Sequence, residues 1–114
     1  MKVITHFWRH LKDYKRNAML RGYAWELTDH EFAKIVSKNC HYCGVEPRPL
    51  ARRTRSGDPA ITKERLNGID RKDPKLGYTT ENSVPCCKFC NSAKWMMGED
   101  EFKEHILKIA GHLK

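Results

Sequence analysis

Two Cys-x-x-Cys pairs, Cys40-His41-Tyr42-Cys43 and Cys87-Lys88-Phe89-Cys90, constrain this 114-residue chain more than any other feature. Two such knuckles can present four thiolates to one tetrahedral Zn²⁺ at about 2.3 Å each. Cys43 and Cys87 stand 44 positions apart (87 − 43), so the ion would clip the ends of a large insert rather than one small finger. Cys86 is the fifth, odd cysteine; taking it instead of Cys87 makes a Cys-x-x-x-Cys pair, a poorer knuckle. With 39% apolar residues and a mean hydropathy of −0.74, the chain can bury only a modest core. Domains of this size often need such a staple. The first twenty residues carry Lys2, Arg9, Lys12, Asp13, Lys15 and Arg16, without the unbroken apolar stretch of a signal peptide or membrane span. The expectation is a reduced, cytoplasmic chain, in which paired cysteines favour zinc over disulfides. Four thiolates leave no position for water, so this zinc would be structural.

The formal net charge is +8, unevenly spread. Residues 1–21 hold six basic groups and one acidic; residues 48–65 hold Arg48, Arg52, Arg53, Arg55, Lys63 and Arg65 against Asp58 and Glu64; residues 97–114 hold four acids and three lysines. Clustered cations suit a polyanion, because each one that neutralises a phosphate releases counterions. A solvated basic surface gives the same count, so charge alone does not decide.

Val3, Phe7, Leu11, Tyr14 and Ala18 recur at helical spacing, and Gly22 should end that helix. In LTDHEF, Thr28 and Glu31 have the spacing of a capping box, and Leu27 and Phe32 that of a hydrophobic staple. A helix over about 29–38 should bury Phe32, Ile35 and Val36. Residues 45–66, with three prolines and one glycine, read as a long, mobile, basic loop with at most a strand near Ala60–Thr62. Extended stretches at Asn67–Arg71 and Asn82–Cys86 flank a loop with Pro74 and Gly77. A helix over about 88–97 then carries Asn91, Lys94 and Trp95. Phe102, Ile106, Ile109, Ala110 and Leu113 mark a C-terminal amphipathic helix, with Glu99, Asp100 and Glu101 suiting its N-terminal dipole.

Inside the cysteine clip stand GIDRKDPKLGYTTEN and then CKFCNSAK, flanked by RGYAWELTDHEF, CHYCG and EFKEHI. Across about residues 14–109 this ordered set resembles the HNH (ββα-metal) endonucleases, in the phage- and restriction-type branch with an Asp-Arg pair. The resemblance implies an α+β, mainly helical single domain spanning 1–114: N-terminal helices over 1–38, a zinc-bound ββα core over 40–97, and a C-terminal helix over 99–113. It also implies that Asp70 and Asn91 hold one catalytic Mg²⁺ or Mn²⁺, with Asn82 tethering the hairpin loop. A hard cation takes oxygen donors and keeps waters that a phosphate can displace. Asn91 directly follows Cys90, so the structural zinc would steady the catalytic ligand.

Where the family commonly has a metal-adjacent His as general base, this chain has Arg71, which stays protonated. Arg71 could clamp the scissile phosphate through its fork. The base would then be Tyr23, His41 or Tyr78, or hydroxide on the metal; His titrates in a suitable range, while Tyr needs a cation beside it. Lys94 should point to the phosphate backbone, and Arg52, Arg53, Arg55, Lys63 and Arg65 should contact DNA. Trp8, Trp25 and Trp95, with Met96 and Met97, read as packing residues rather than a stacking surface. The expected function is hydrolysis of double-stranded DNA. The rival is an inactive, zinc-stabilised DNA-binding module. No membrane partner is expected, and a homodimer is left open.

Overall fold

The computed structural model describes residues 6–53 and 56–114, apart from the side chains at 51–53, 59 and 61–63. Val3 and Arg55 therefore lie outside the described residues. Helix α1 (Phe7–Arg21) ends at Gly22, whose φ of 75° closes it in the left-handed conformation. Helix α2 (Asp29–Val36) starts from the expected capping box: the Glu31 N–H donates to Thr28 Oγ1 at 3.1 Å, and the Thr28 N–H donates to Glu31 Oε1 at 2.8 Å. Leu27 and Phe32 are both buried, as a staple requires.

Two antiparallel hairpins follow. Strand β1 (Pro49–Arg53) pairs with β2 (Pro59–Arg65), and β3 (Gly68–Arg71) with β4 (Ser83–Cys86). The first pair corrects the expectation of a mobile loop over 45–66, although the strand expected near Ala60–Thr62 falls within β2. Prolines 49 and 59 each begin a strand, where a missing N–H is tolerated. The register slips between Pro49 and Ala51, which obscures the alternation in the sequence. Helix α3 (Lys88–Lys94) is three residues shorter than expected, and α4 (Glu99–Leu113) completes the chain.

Leu11, Ala18, Leu27, Phe32, Val36, Ile69 and Tyr78 form the main core. Phe32 lies at its centre, with the rings of Phe7, His10, Tyr14 and Trp25 between 5.6 and 6.0 Å away, centroid to centroid. Trp25 thus packs as expected, whereas Trp8 and Trp95 are exposed. The two motif glycines permit close approaches. A Cβ on Gly68 would meet the Tyr14 hydroxyl at 2.3 Å, and one on Gly77 would meet the Ala24 backbone at 2.7 Å. Tyr14 Oη accepts the Ile69 N–H at 2.9 Å, joining α1 to β3. The Tyr78 N–H donates to Ala24 O, and the Glu26 N–H to Tyr78 O, joining the β3–β4 loop to the segment before α2. Helix α4 has the expected amphipathic pattern, but Phe102 is its only buried residue; Ile106, Ile109 and Leu113 face outward.

Candidate active site and metal centre

The Sγ atoms of Cys40, Cys43, Cys87 and Cys90 lie within 4.8 Å of one another. Zn–S bonds of about 2.3 Å at tetrahedral angles put sulfurs about 3.8 Å apart, and Cys43 Sγ and Cys87 Sγ are 3.7 Å apart. The cluster fits zinc. Cys87 also caps α3, its sulfur accepting the Cys90 N–H at 3.4 Å. Burial raises the Cys40 thiol pKa, but backbone N–H groups of Cys43, Cys87 and Tyr42 outweigh that and bring it down to about 6. Cys86 stays outside the cluster; burial, then the Asp70 charge, pushes its thiol up. It donates to the Cys87 carbonyl.

Between α1 and the β3–β4–α3 unit lies a cavity of about 660 Å³. Asp70, Arg71, Tyr23, Tyr78 and Asn91 all line it, so five of the expected residues share one space. His10 lines it too. Its helical spacing from Phe7 and Tyr14 puts it on the buried face of α1, a signal the sequence carried unused. Its Nε2–H donates to Asn67 O at 3.0 Å, which makes Nδ1 the basic nitrogen of the neutral ring.

Asp70 is buried and held from two sides. Tyr42 donates to Oδ2 at 2.7 Å, and Lys94 Nζ lies 3.1 Å from Oδ2 and 3.4 Å from Oδ1. Lys94 also donates to Arg71 O at 3.0 Å. It is 0% exposed, which corrects the expectation of a lysine turned toward the phosphate backbone. Four and seven residues after Cys90 and Cys87, it sits on the helix face turned to β3. Tyr42 was also missed. It packs edge-on against Phe102, and burial followed by the bond to Asp70 pushes its phenol well up. A carboxylate offers about four acceptor sites. Lys94 Nζ approaches Oδ1 less closely than Oδ2, so Oδ1 is the less tightly held oxygen, and Asp70 and Asn91 line the same cavity.

The Arg71 guanidinium lies 3.6 Å from the Tyr23 ring centroid and 5.6 Å from that of Tyr78. Its Nη1 donates to Pro74 O at 2.6 Å and Leu76 O at 2.9 Å. Asn82 ties the same loop: Nδ2 donates to Asp73 O and Gly77 O, and Oδ1 accepts the Asp73 N–H. That is the tethering role expected. His41 instead bonds through Nε2 to Glu99 on α4 and, unlike the other candidate bases Tyr23 and Tyr78, is not among the residues lining the cavity. Burial works against ionised Glu99, but His41 and then Lys103 hold its carboxyl below the usual range. Burial raises the Tyr78 phenol despite Arg71.

Of the proposed DNA contacts, Arg52 and Arg53 lie on β1, Lys63 and Arg65 on β2, and Arg65 is exposed. A second cavity of about 350 Å³ next to this hairpin shares His10, Tyr14 and Asn91 with the first. Arg48 lies over the exposed Phe89 ring at its rim, 5.7 Å from the centroid.

The chain has an HNH-like fold. It superposes on the rare-cutting HNH restriction endonuclease PacI with a TM-score of 0.62, over 87% of this chain and 72% of that one, at 21% identity. Over 101 residues, 89% of its length, it is 32% identical to the uncharacterized protein R423 of Acanthamoeba polyphaga mimivirus, of which it spans 16%. No protein-family model matches. No helix among the described residues is long and apolar enough to cross a membrane.

Proposed function

We propose that the chain is a DNA endonuclease that hydrolyses phosphodiester bonds with one divalent ion, Mg²⁺ or Mn²⁺, held by Asp70 and Asn91. The observation that carries this reading is the opening of those two oxygen-bearing side chains, from β3 and α3, onto a single cavity with Arg71 beside them. Inert DNA binding would not require a carboxylate and an amide in one space. The bound ion supplies Lewis-acid stabilisation of charge building on the phosphate. Tyr42 and Lys94 fix the Asp70 carboxylate from behind, so it need not reorganise when the ion and substrate arrive. Arg71, braced on Tyr23 and on the loop carbonyls, turns the rest of its five-donor fork to a phosphate oxygen.

Tyr23 and His10 are the cavity groups best placed to take a proton from the attacking water. His41 is engaged by Glu99, and burial keeps Tyr78 a phenol. The cations of the β1–β2 hairpin, together with Arg55, hold the DNA backbone. Nicking of supercoiled plasmid in Mg²⁺ tests the reading. It should vanish with EDTA, with Asp70→Asn, and with Asn91→Ala, whose exposed side chain makes a folding defect an unsuitable explanation. Wild-type protein that binds DNA yet never nicks it would assign the inert module instead.

A further inference from the structure

Trp95 leaves α3 at φ 50° and ψ −116°, and among the described residues it alone has a positive φ without being glycine. The Met97 N–H donates to Lys94 O at 2.9 Å, closing the turn Lys94–Met97. Those angles belong to the second residue of a type II′ turn, a position that glycine dominates. Here the position holds the largest side chain, 79% exposed. The turn cannot relax by unwinding α3, because Lys94 immediately before it is buried against Asp70. Trp95 and its exposed neighbour Met96 form part of the wall of the cavity that Asp70, Arg71 and Asn91 line. A strained backbone thus thrusts an indole into solvent beside the phosphate site, without burial in return. Strain of this kind collects at functional sites.

We propose that Trp95, backed by Met96, is a wedge that inserts between stacked bases of duplex DNA next to the scissile phosphate. Apolar side chains at the rim of a DNA site unstack base steps in this way, and aromatic rings take over the lost stacking. The proposal rests on the nuclease reading.

Trp95→Gly tests it, because glycine suits the turn and the variant should melt no lower than wild type. Its plasmid nicking should fall about tenfold or more, the scale of one lost base–aromatic stack, with Trp95→Phe in between. Once the cut site is mapped, a duplex with 2-aminopurine at the cleaved step reports unstacking. Its fluorescence should rise with Asn91→Ala protein, which holds the DNA uncut, and stay low when Trp95→Gly is added. If Trp95→Gly nicks at the wild-type rate, or the 2-aminopurine signal is the same with and without the indole, the wedge is overturned and the nuclease reading stands. If Trp95→Gly melts lower and loses activity in step, the indole is a packing residue and the wedge is again overturned. Wild-type protein that neither binds nor nicks DNA overturns both.

Discussion

Stripping the zinc, or replacing any one of Cys40, Cys43, Cys87 and Cys90 by Ser, should unfold the chain. Structural zinc contributes about 10–16 kcal/mol in small domains, whereas a whole domain is stable by about 5–15 kcal/mol. At this end the buried cluster is built from the cysteines themselves. The second core cluster consists of Cys40, Cys86 and Cys87, with Tyr42, Val45 and Cys90 packed on it. The His41 N–H to Pro85 O bond and the capping of α3 by Cys87 both depend on the knuckles staying closed. Elemental analysis should find one zinc per chain. A thermal melt followed by circular dichroism should lose its cooperative transition in excess chelator and recover it with added Zn²⁺. A chelated protein that melts as before would rule out the zinc clip.

Lys94→Met should destabilise the zinc-loaded protein by about 3–5 kcal/mol, the usual cost of breaking a buried ion pair from one side. The side chain is nearly the same length, so little volume is lost. What is lost is the cation 3.1 Å from Asp70 Oδ2 and the donor to the Arg71 carbonyl. The Tyr42 hydroxyl alone would then face a buried carboxylate. Adding Asp70→Asn should restore much of the loss, because the uncompensated charge goes with it. Urea unfolding of the wild type, both single variants and the double variant gives the coupling directly. A single-variant cost below about 1 kcal/mol would put Lys94 in the class of exposed pairs.

Features written in local sequence are legible in the sequence itself. The capping box of Thr28 and Glu31, the stop at Gly22 and the two knuckles each involve residues a few positions apart. The site was legible in outline for the same reason, since Asp70, Arg71, Asn82 and Asn91 sit within 22 positions (91 − 70 + 1). What escaped depends on partners far along the chain. Tyr42 meets Asp70 across 28 positions, and Lys94 meets it across 24. Nothing local distinguishes a buried lysine from a solvated one. His41 and Tyr42 are neighbours in a knuckle, and only its packing against α4 decides that Tyr42 faces the carboxylate while His41 turns to Glu99. Around β1 and β2, prolines at the strand starts and a slipped register masked the alternation that marks a hairpin. Trp95 read as packing because a turn that favours glycine gives no sign of itself when tryptophan fills it.

Mn²⁺ binding to the zinc-loaded protein, followed by electron paramagnetic resonance, tests the paired oxygen donors most directly and needs no cleavage. One Mn²⁺ per chain should bind to wild type, and that binding should be lost or weakened together in Asp70→Asn and Asn91→Ala. Binding that neither substitution alters, or no binding while the zinc is in place, would contradict a catalytic ion held by these two residues.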